Sequence, residues 1–186
     1  MMKIIWTTSS LQIRGFPENW EVVPNPLRRL LSEEEACEFL TRENPEGMIA
    51  GVEPLTRRVL KSAPALKAIS RCGVGLDSVD LDAAEELGIQ VMNTPTAPVQ
   101  SVAELTVALI LGLLRKTAVL DSRMKNGEWR RARGYLVGGK TVAIMGCGRI
   151  GTRVALILRS FGCTLIGYDP FLNSHPEIRL MDLESI

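Results

Sequence analysis

The chain has 186 residues, 46% hydrophobic and 23% charged, the balance of one ordinary globular domain or two small ones, which excludes a disordered chain. Its 22 basic and 21 acidic side chains leave a net charge of +1, too little for a dominant nucleic-acid surface, and the basic cluster Trp129-Arg130-Arg131-Ala132-Arg133 reads as a solvated loop. The most apolar stretch, 102–114, contains Glu104 and is shorter than the ~20 residues a bilayer crossing needs, so a buried helix is expected and no membrane partner.

Residues 3–7 predict a strand rather than the apolar run of a secretory signal. Residues 21–23 predict the next strand, and 33–41 a helix whose start carries the capping box Ser32-x-x-Glu35. A strand at 47–51 follows, then a helix capped by Thr56 and ended by Pro64, and a strand at 66–70. Asp80 caps a helix over 81–87 that Gly88 stops, and a strand at 89–92 closes the series. This alternation with short connections predicts a parallel sheet covered by helices. Asn93-Thr94-Pro95-Thr96-Ala97-Pro98 breaks the pattern and reads as a linker. The helix expected over 99–116 is apolar on nearly every face and should be buried all round, between domains or against a second subunit. Residues 125–139 are polar and irregular. Four scattered cysteines without a C-x-x-C pair fit free thiols in a reducing cytoplasm, with no metal role.

Residues 142–169 carry the most chemistry. Gly146-x-Gly148-x-x-Gly151 follows an apolar strand and opens a helix, and a second strand ends in Asp169. Gly146 permits the tight turn, Gly148 lets the backbone approach a pyrophosphate, and Gly151 lets the helix pack on the strand. The amides of Arg149 and Ile150 lie where the aligned peptide dipoles favour an anion, and Asp169 is placed to bond ribose hydroxyls. A 2′-phosphate about 4 Å from that carboxylate would be repelled by roughly 4 kcal/mol per unit charge at an effective dielectric of 20, so NAD is expected rather than NADP.

Three segments together resemble the D-isomer-specific 2-hydroxyacid dehydrogenases, and phosphoglycerate dehydrogenase-like members in particular. They are Arg71-Cys-Gly-Val-Gly-Leu-Asp-Ser-Val-Asp80, then Val91-Met-Asn-Thr-Pro95 with Val102-Ala-Glu-Leu-Thr106, and Gly146 to Asp169 with Tyr168-Asp169-Pro170. The resemblance implies an α/β chain: a flavodoxin-like substrate lobe over 1–98, lacking its C-terminal return segment, followed over 99–186 by an incomplete Rossmann cofactor lobe, a doubly wound parallel sheet, with the active site between the lobes. It implies hydride transfer from a small 2-hydroxy acid to NAD, and because an incomplete cofactor sheet would leave apolar surface uncovered, either a homodimer through helix 99–116 or a fragment of a longer enzyme is expected. It also implies that Cys72, Gly73 and Val74 offer backbone amides to the substrate carboxylate, that Val74 touches the nicotinamide end, and that Asn93 lies in the interlobe crossing, where capping or turn formation is its plainer role. Glu104 reads as structural and, if buried, in need of a partner.

The chain departs from the family pattern in two places. Ile49-Ala50-Gly51-Val52 stands where the best-known phosphoglycerate dehydrogenases carry an Arg-Ser pair, so bidentate capture of a phosphate is lost there and the particular 2-hydroxy acid stays open. The family's catalytic Arg, Glu and His belong beyond residue 186, and His175 reads as a surface loop residue, so no catalytic residue is assigned within the chain and it is expected to be the N-terminal part of a longer enzyme. Only two strands of the cofactor sheet are expected. A non-catalytic, corepressor-like NAD-binding module is the alternative reading.

Overall fold

The computed structural model describes residues 1–8 and 15–186. They form two compact units, Met1–Ala97 and Pro98–Ile186.

The first unit runs β1 (Met2–Trp6), β2 (Trp20–Pro24), α1 (Glu33–Glu43), β3 (Gly47–Ala50), α2 (Arg57–Lys61), β4 (Ala68–Arg71), α3 (Leu81–Glu86) and β5 (Gln90–Asn93). Its strands are all parallel in the order β2-β1-β3-β4-β5, the order of a flavodoxin-like doubly wound sheet. Ile5, Met48, Ala50 and Ile69 on the strands meet Phe39, Leu40, Val59, Leu60 and Ala83 on the helices in one buried core. Local signals set the helix ends. Ser32 and Glu35 close both halves of the capping box, and Thr56 and Asp80 each accept an amide from the first turn they precede. Gly88, at φ +70°, ends the α3 region in the left-handed conformation that glycine adopts without a Cβ penalty.

Arg29 grips the Glu35 carboxylate and the Ser32 amide donates to it, which together hold the Glu35 carboxyl down to about 2. A carboxyl depressed in the folded state contributes stability above its unfolded value and loses it as pH falls. The contribution of this cap should therefore decline between pH ~4.5 and ~2. Ser32→Ala, which removes the hydroxyl acceptor of the Glu35 amide but keeps the backbone donor to the Glu35 carboxylate, should lower stability by about 1 kcal/mol, by nearly the same amount at neutral pH and near pH 2 in denaturant melts.

The second unit runs α4 (Val99–Arg115), α5 (Thr117–Lys125), β6 (Thr141–Met145), α6 (Arg149–Arg159), β7 (Thr164–Tyr168), β8 (Arg179–Leu180) and a closing 3-10 turn, Leu183–Ser185. The sheet is parallel, in the order β6-β7-β8. It thus has three strands rather than the expected two. Read from the edge, β8-β7-β6 is the 3-2-1 half of a Rossmann sheet.

Within its own unit α4 buries one side. Only Ala103 and Val107 are fully buried within this unit, packed with α6, while Leu105, Leu109 and Leu113 are exposed. Glu104 is exposed too and accepts a bond from the Gln100 side chain, so it carries no burial cost. No described helix is long and apolar enough to cross a membrane.

Candidate nucleotide and carboxylate sites

In the second unit, apolar β6 delivers the chain to Gly146, whose φ of +90° turns it sharply and whose amide donates to the Tyr168 carbonyl at 2.8 Å. Helix α6 then starts at Arg149, with Gly148 as its cap and no side-chain acceptor there. Its apolar stripe (Val154, Ala155, Leu158) packs into the core with Ile144, Leu165 and Ile178. The contact is close because residue 151 is glycine. A Cβ there would collide with the Gly146 carbonyl oxygen and lie 3.2 Å from Ile144 Cγ2.

The first hydrogen bond of α6 runs from the Thr152 amide to the Gly148 carbonyl at 2.8 Å. The amides of Arg149, Ile150 and Gly151 therefore have no acceptor among the described residues, as expected of a helix N-terminus. Above Gly148 the space is open, since a Cβ built there meets nothing within 4 Å. Donors, dipole and free space together fit a diphosphate.

Asp169, at the end of β7, is tied to the same turn. Its Oδ2 accepts the Cys147 amide at 2.8 Å and its Oδ1 the Phe171 amide at 2.9 Å. Each oxygen keeps a lone pair for another donor. The buried Cys147 has its thiol pushed up by burial and then by the Asp169 carboxylate, the opposite of what a nucleophilic thiol requires. His175 does not stand loose at the surface. Its Nε2 lies 2.9 Å from Thr152 Oγ1, and its Nδ1 accepts the amides of Glu177 and Ile178 at 3.1 and 3.2 Å.

In the first unit, the turn after β4 is held from several sides. The Cys72 amide donates to the Ala50 carbonyl at 2.8 Å, and the Gly73 amide faces the Arg71 carbonyl at 3.0 Å and Thr94 Oγ1 at 2.8 Å. Both amides are thus occupied within the protein. The Val74 and Gly75 amides donate to nothing among the described residues. Asn93 Nδ2 donates to the Val74 carbonyl at 2.7 Å, so Asn93 and Thr94 at the end of β5 pin this turn. Asn93 is the last residue of β5, and its side chain braces the neighbouring turn.

Two further residues at this edge carried no assignment from sequence. The Arg71 guanidinium lies across Gly73, its Nη1 donating to the Cys72 carbonyl, with no carboxylate paired to it among the described residues. Glu53, 1% exposed, accepts from Thr7 Oγ1 and, at 3.0 and 3.2 Å, from the Gly51 amide. The signal for Arg71 was available, because a chain without Arg-Ser after β3 invites a search for another cation at the same sheet edge. Burial raises the Cys72 thiol, Arg71 lowers it and Glu53 raises it, which places all three within electrostatic reach of one another. No group of three or more metal-ligating side chains occurs among the described residues.

The sequence profile of the D-isomer specific 2-hydroxyacid dehydrogenase catalytic domain matches residues 26–174. The chain belongs to this family. It is 45% identical over 120 residues to D-3-phosphoglycerate dehydrogenase of Methanocaldococcus jannaschii, covering 63% of this chain and 23% of that protein. The human D-3-phosphoglycerate dehydrogenase is 42% identical over 151 residues, 80% of this chain and 28% of that protein. The chain therefore spans about a quarter of the length of these curated relatives.

Among solved structures, NAD-dependent formate dehydrogenase from Staphylococcus aureus in complex with NAD superposes with a TM-score of 0.77 at 27% identity, covering 99% of this chain and 61% of that one. The apo-structure of D-lactate dehydrogenase from Escherichia coli gives 0.79 at 25% identity, again over 99% of this chain and 61% of that one.

Proposed function

We propose that this chain supplies the NAD-binding turn and the substrate-carboxylate turn of a D-2-hydroxyacid dehydrogenase, with 1–98 as substrate domain and 99–186 as the first part of the NAD domain. One observation carries the reading. The unpartnered first-turn amides of α6 sit over open space, and Asp169 is bonded to the adjacent Cys147 amide. Gly146, Gly148, Arg149, Ile150 and Gly151 hold the pyrophosphate by backbone donation, and Asp169 accepts from the ribose hydroxyls.

Of the turn Cys72-Gly73-Val74, the free amide of Val74, together with that of Gly75, takes the substrate carboxylate, while Cys72 and Gly73 shape the turn. Arg71 adds positive charge beside it, and Val74 touches the nicotinamide end. When bound, the nicotinamide ring accepts the hydride from C2 of a 2-hydroxy acid. His175, with both ring nitrogens engaged, does not take the hydroxyl proton.

Calorimetric titration tests the proposal. NAD should bind at least tenfold more tightly than NADP, and equal affinities or no heat with either would refute it.

The apolar side chains Leu105, Leu109 and Leu113 along the open side of α4 support a homodimer through this helix. Leu109→Glu should convert a dimer to a monomer in light scattering while leaving the melting temperature of the second unit nearly unchanged.

A further inference from the structure

His175 is the only histidine in the chain, and its surroundings dictate its protonation pattern. Its Nδ1 faces two backbone donors, the amides of Glu177 and Ile178, and so carries no hydrogen in the neutral ring. The ring hydrogen then sits on Nε2 and is donated to Thr152 Oγ1. The Thr152 hydroxyl donates in turn toward the carbonyl of Gly148 at 2.8 Å or of Cys147 at 3.1 Å. A directed chain of bonds thus leads from the backbone just before β8, through the imidazole, to the glycine turn.

The segment between Asp169 and His175 has few other ties. Pro170, Leu172, Asn173 and Ser174 are exposed, and Phe171 is 92% exposed. Asp169 anchors this loop at one end through the Cys147 amide, and His175 anchors it at the other through Thr152. Both anchors end on the same turn, the one whose amides are free.

We propose that His175 is a positioning residue for the dinucleotide, a clip through Thr152 that holds the loop following Asp169 at a set distance from the N-terminus of α6. The inference rests on the NAD reading above. With the clip closed, the ribose acceptor and the phosphate donors are presented in one geometry, and the loop loses no further freedom on binding. With it open, that ordering must be supplied by the ligand.

The test uses NAD and ADP as probes of the full chain. His175→Ala and Thr152→Val should each weaken both ligands about tenfold, and the double variant should be no weaker than either single one, because the two residues act through one bond. His175→Gln, whose amide nitrogen can reach Thr152, should recover most of the loss. A long-range proton–nitrogen spectrum of the single imidazole should show hydrogen on Nε2 and move on addition of ADP. Should His175→Ala fail to fold, Thr152→Val, which removes one hydroxyl and keeps the shape, carries the test. Affinities within twofold of wild type, additive losses in the double variant, or a ring protonated on Nδ1 would overturn the clip. Wild-type chain that binds neither probe would instead overturn the cofactor reading on which it stands.

Discussion

Gly148→Ala is expected to cost at least a hundredfold in NAD affinity while changing stability by less than about 1 kcal/mol. The two effects separate because of where the new methyl goes. Gly148 has φ −71°, which alanine adopts without strain, and a Cβ there meets no protein atom within 4 Å. The folded state accommodates it, and the slightly poorer helix cap is offset by a less flexible unfolded chain. The methyl nevertheless occupies the space through which a diphosphate reaches the amides of Arg149 and Ile150. Gly151→Ala should behave in the opposite way. Its Cβ would meet the Gly146 carbonyl and the Ile144 side chain, so the turn and helix must part. Such overpacking costs about 1–3 kcal/mol, and binding is lost along with stability. Melting curves and calorimetry on the two variants distinguish a residue that admits the ligand from one that admits the helix. An unchanged NAD affinity in Gly148→Ala would remove the diphosphate from this turn.

Asp169→Asn should weaken NAD by roughly 10- to 100-fold, the range expected for hydrogen bonds to a charged acceptor worth about 1.5–3 kcal/mol. It should also narrow the preference over NADP, because the repulsion of a 2′-phosphate goes with the charge. The asparagine retains one carbonyl oxygen and cannot accept from both Cys147 and Phe171 as the carboxylate does. A modest loss of thermal stability should accompany the change. Retention of the full preference for NAD in this variant would place cofactor selection elsewhere.

Much of this fold is legible in the sequence because its signals are local. Ser32 with Glu35, Thr56 and Asp80 each announce a helix start through a side chain that bonds the adjacent turn, and these bonds form as written. The glycine turn is legible for a similar reason, since three glycines, an apolar strand and a terminal acid converge within a short stretch. What escaped has no local signature. Helix α5 starts from Lys116 in the left-handed conformation, has no side-chain cap and buries no residue, so neither a cap nor an apolar stripe marks it. Strand β8 is two residues long and exists only through its pairing with Ile166 and Gly167.

Within its own unit helix α4 covers only the side facing α6, and the apolar residues of its other side, which the sequence reads as buried between domains or against a second subunit, are exposed there. At the turn after β4, sequence does not reveal which amides are left free. The amides of Cys72 and Gly73 are consumed by Ala50 and Thr94, bonds that join strands distant in the chain. His175 and Thr152 stand 23 residues apart, so their contact is equally invisible to spacing rules.

The most direct trial of the account is a titration of nitrogen-15-labelled chain with NAD, followed amide by amide. The largest shifts should fall on Gly148, Arg149, Ile150 and Gly151, with a second group at Asp169 and Phe171. Shifts confined to other parts of the chain, or none at millimolar NAD, would contradict it.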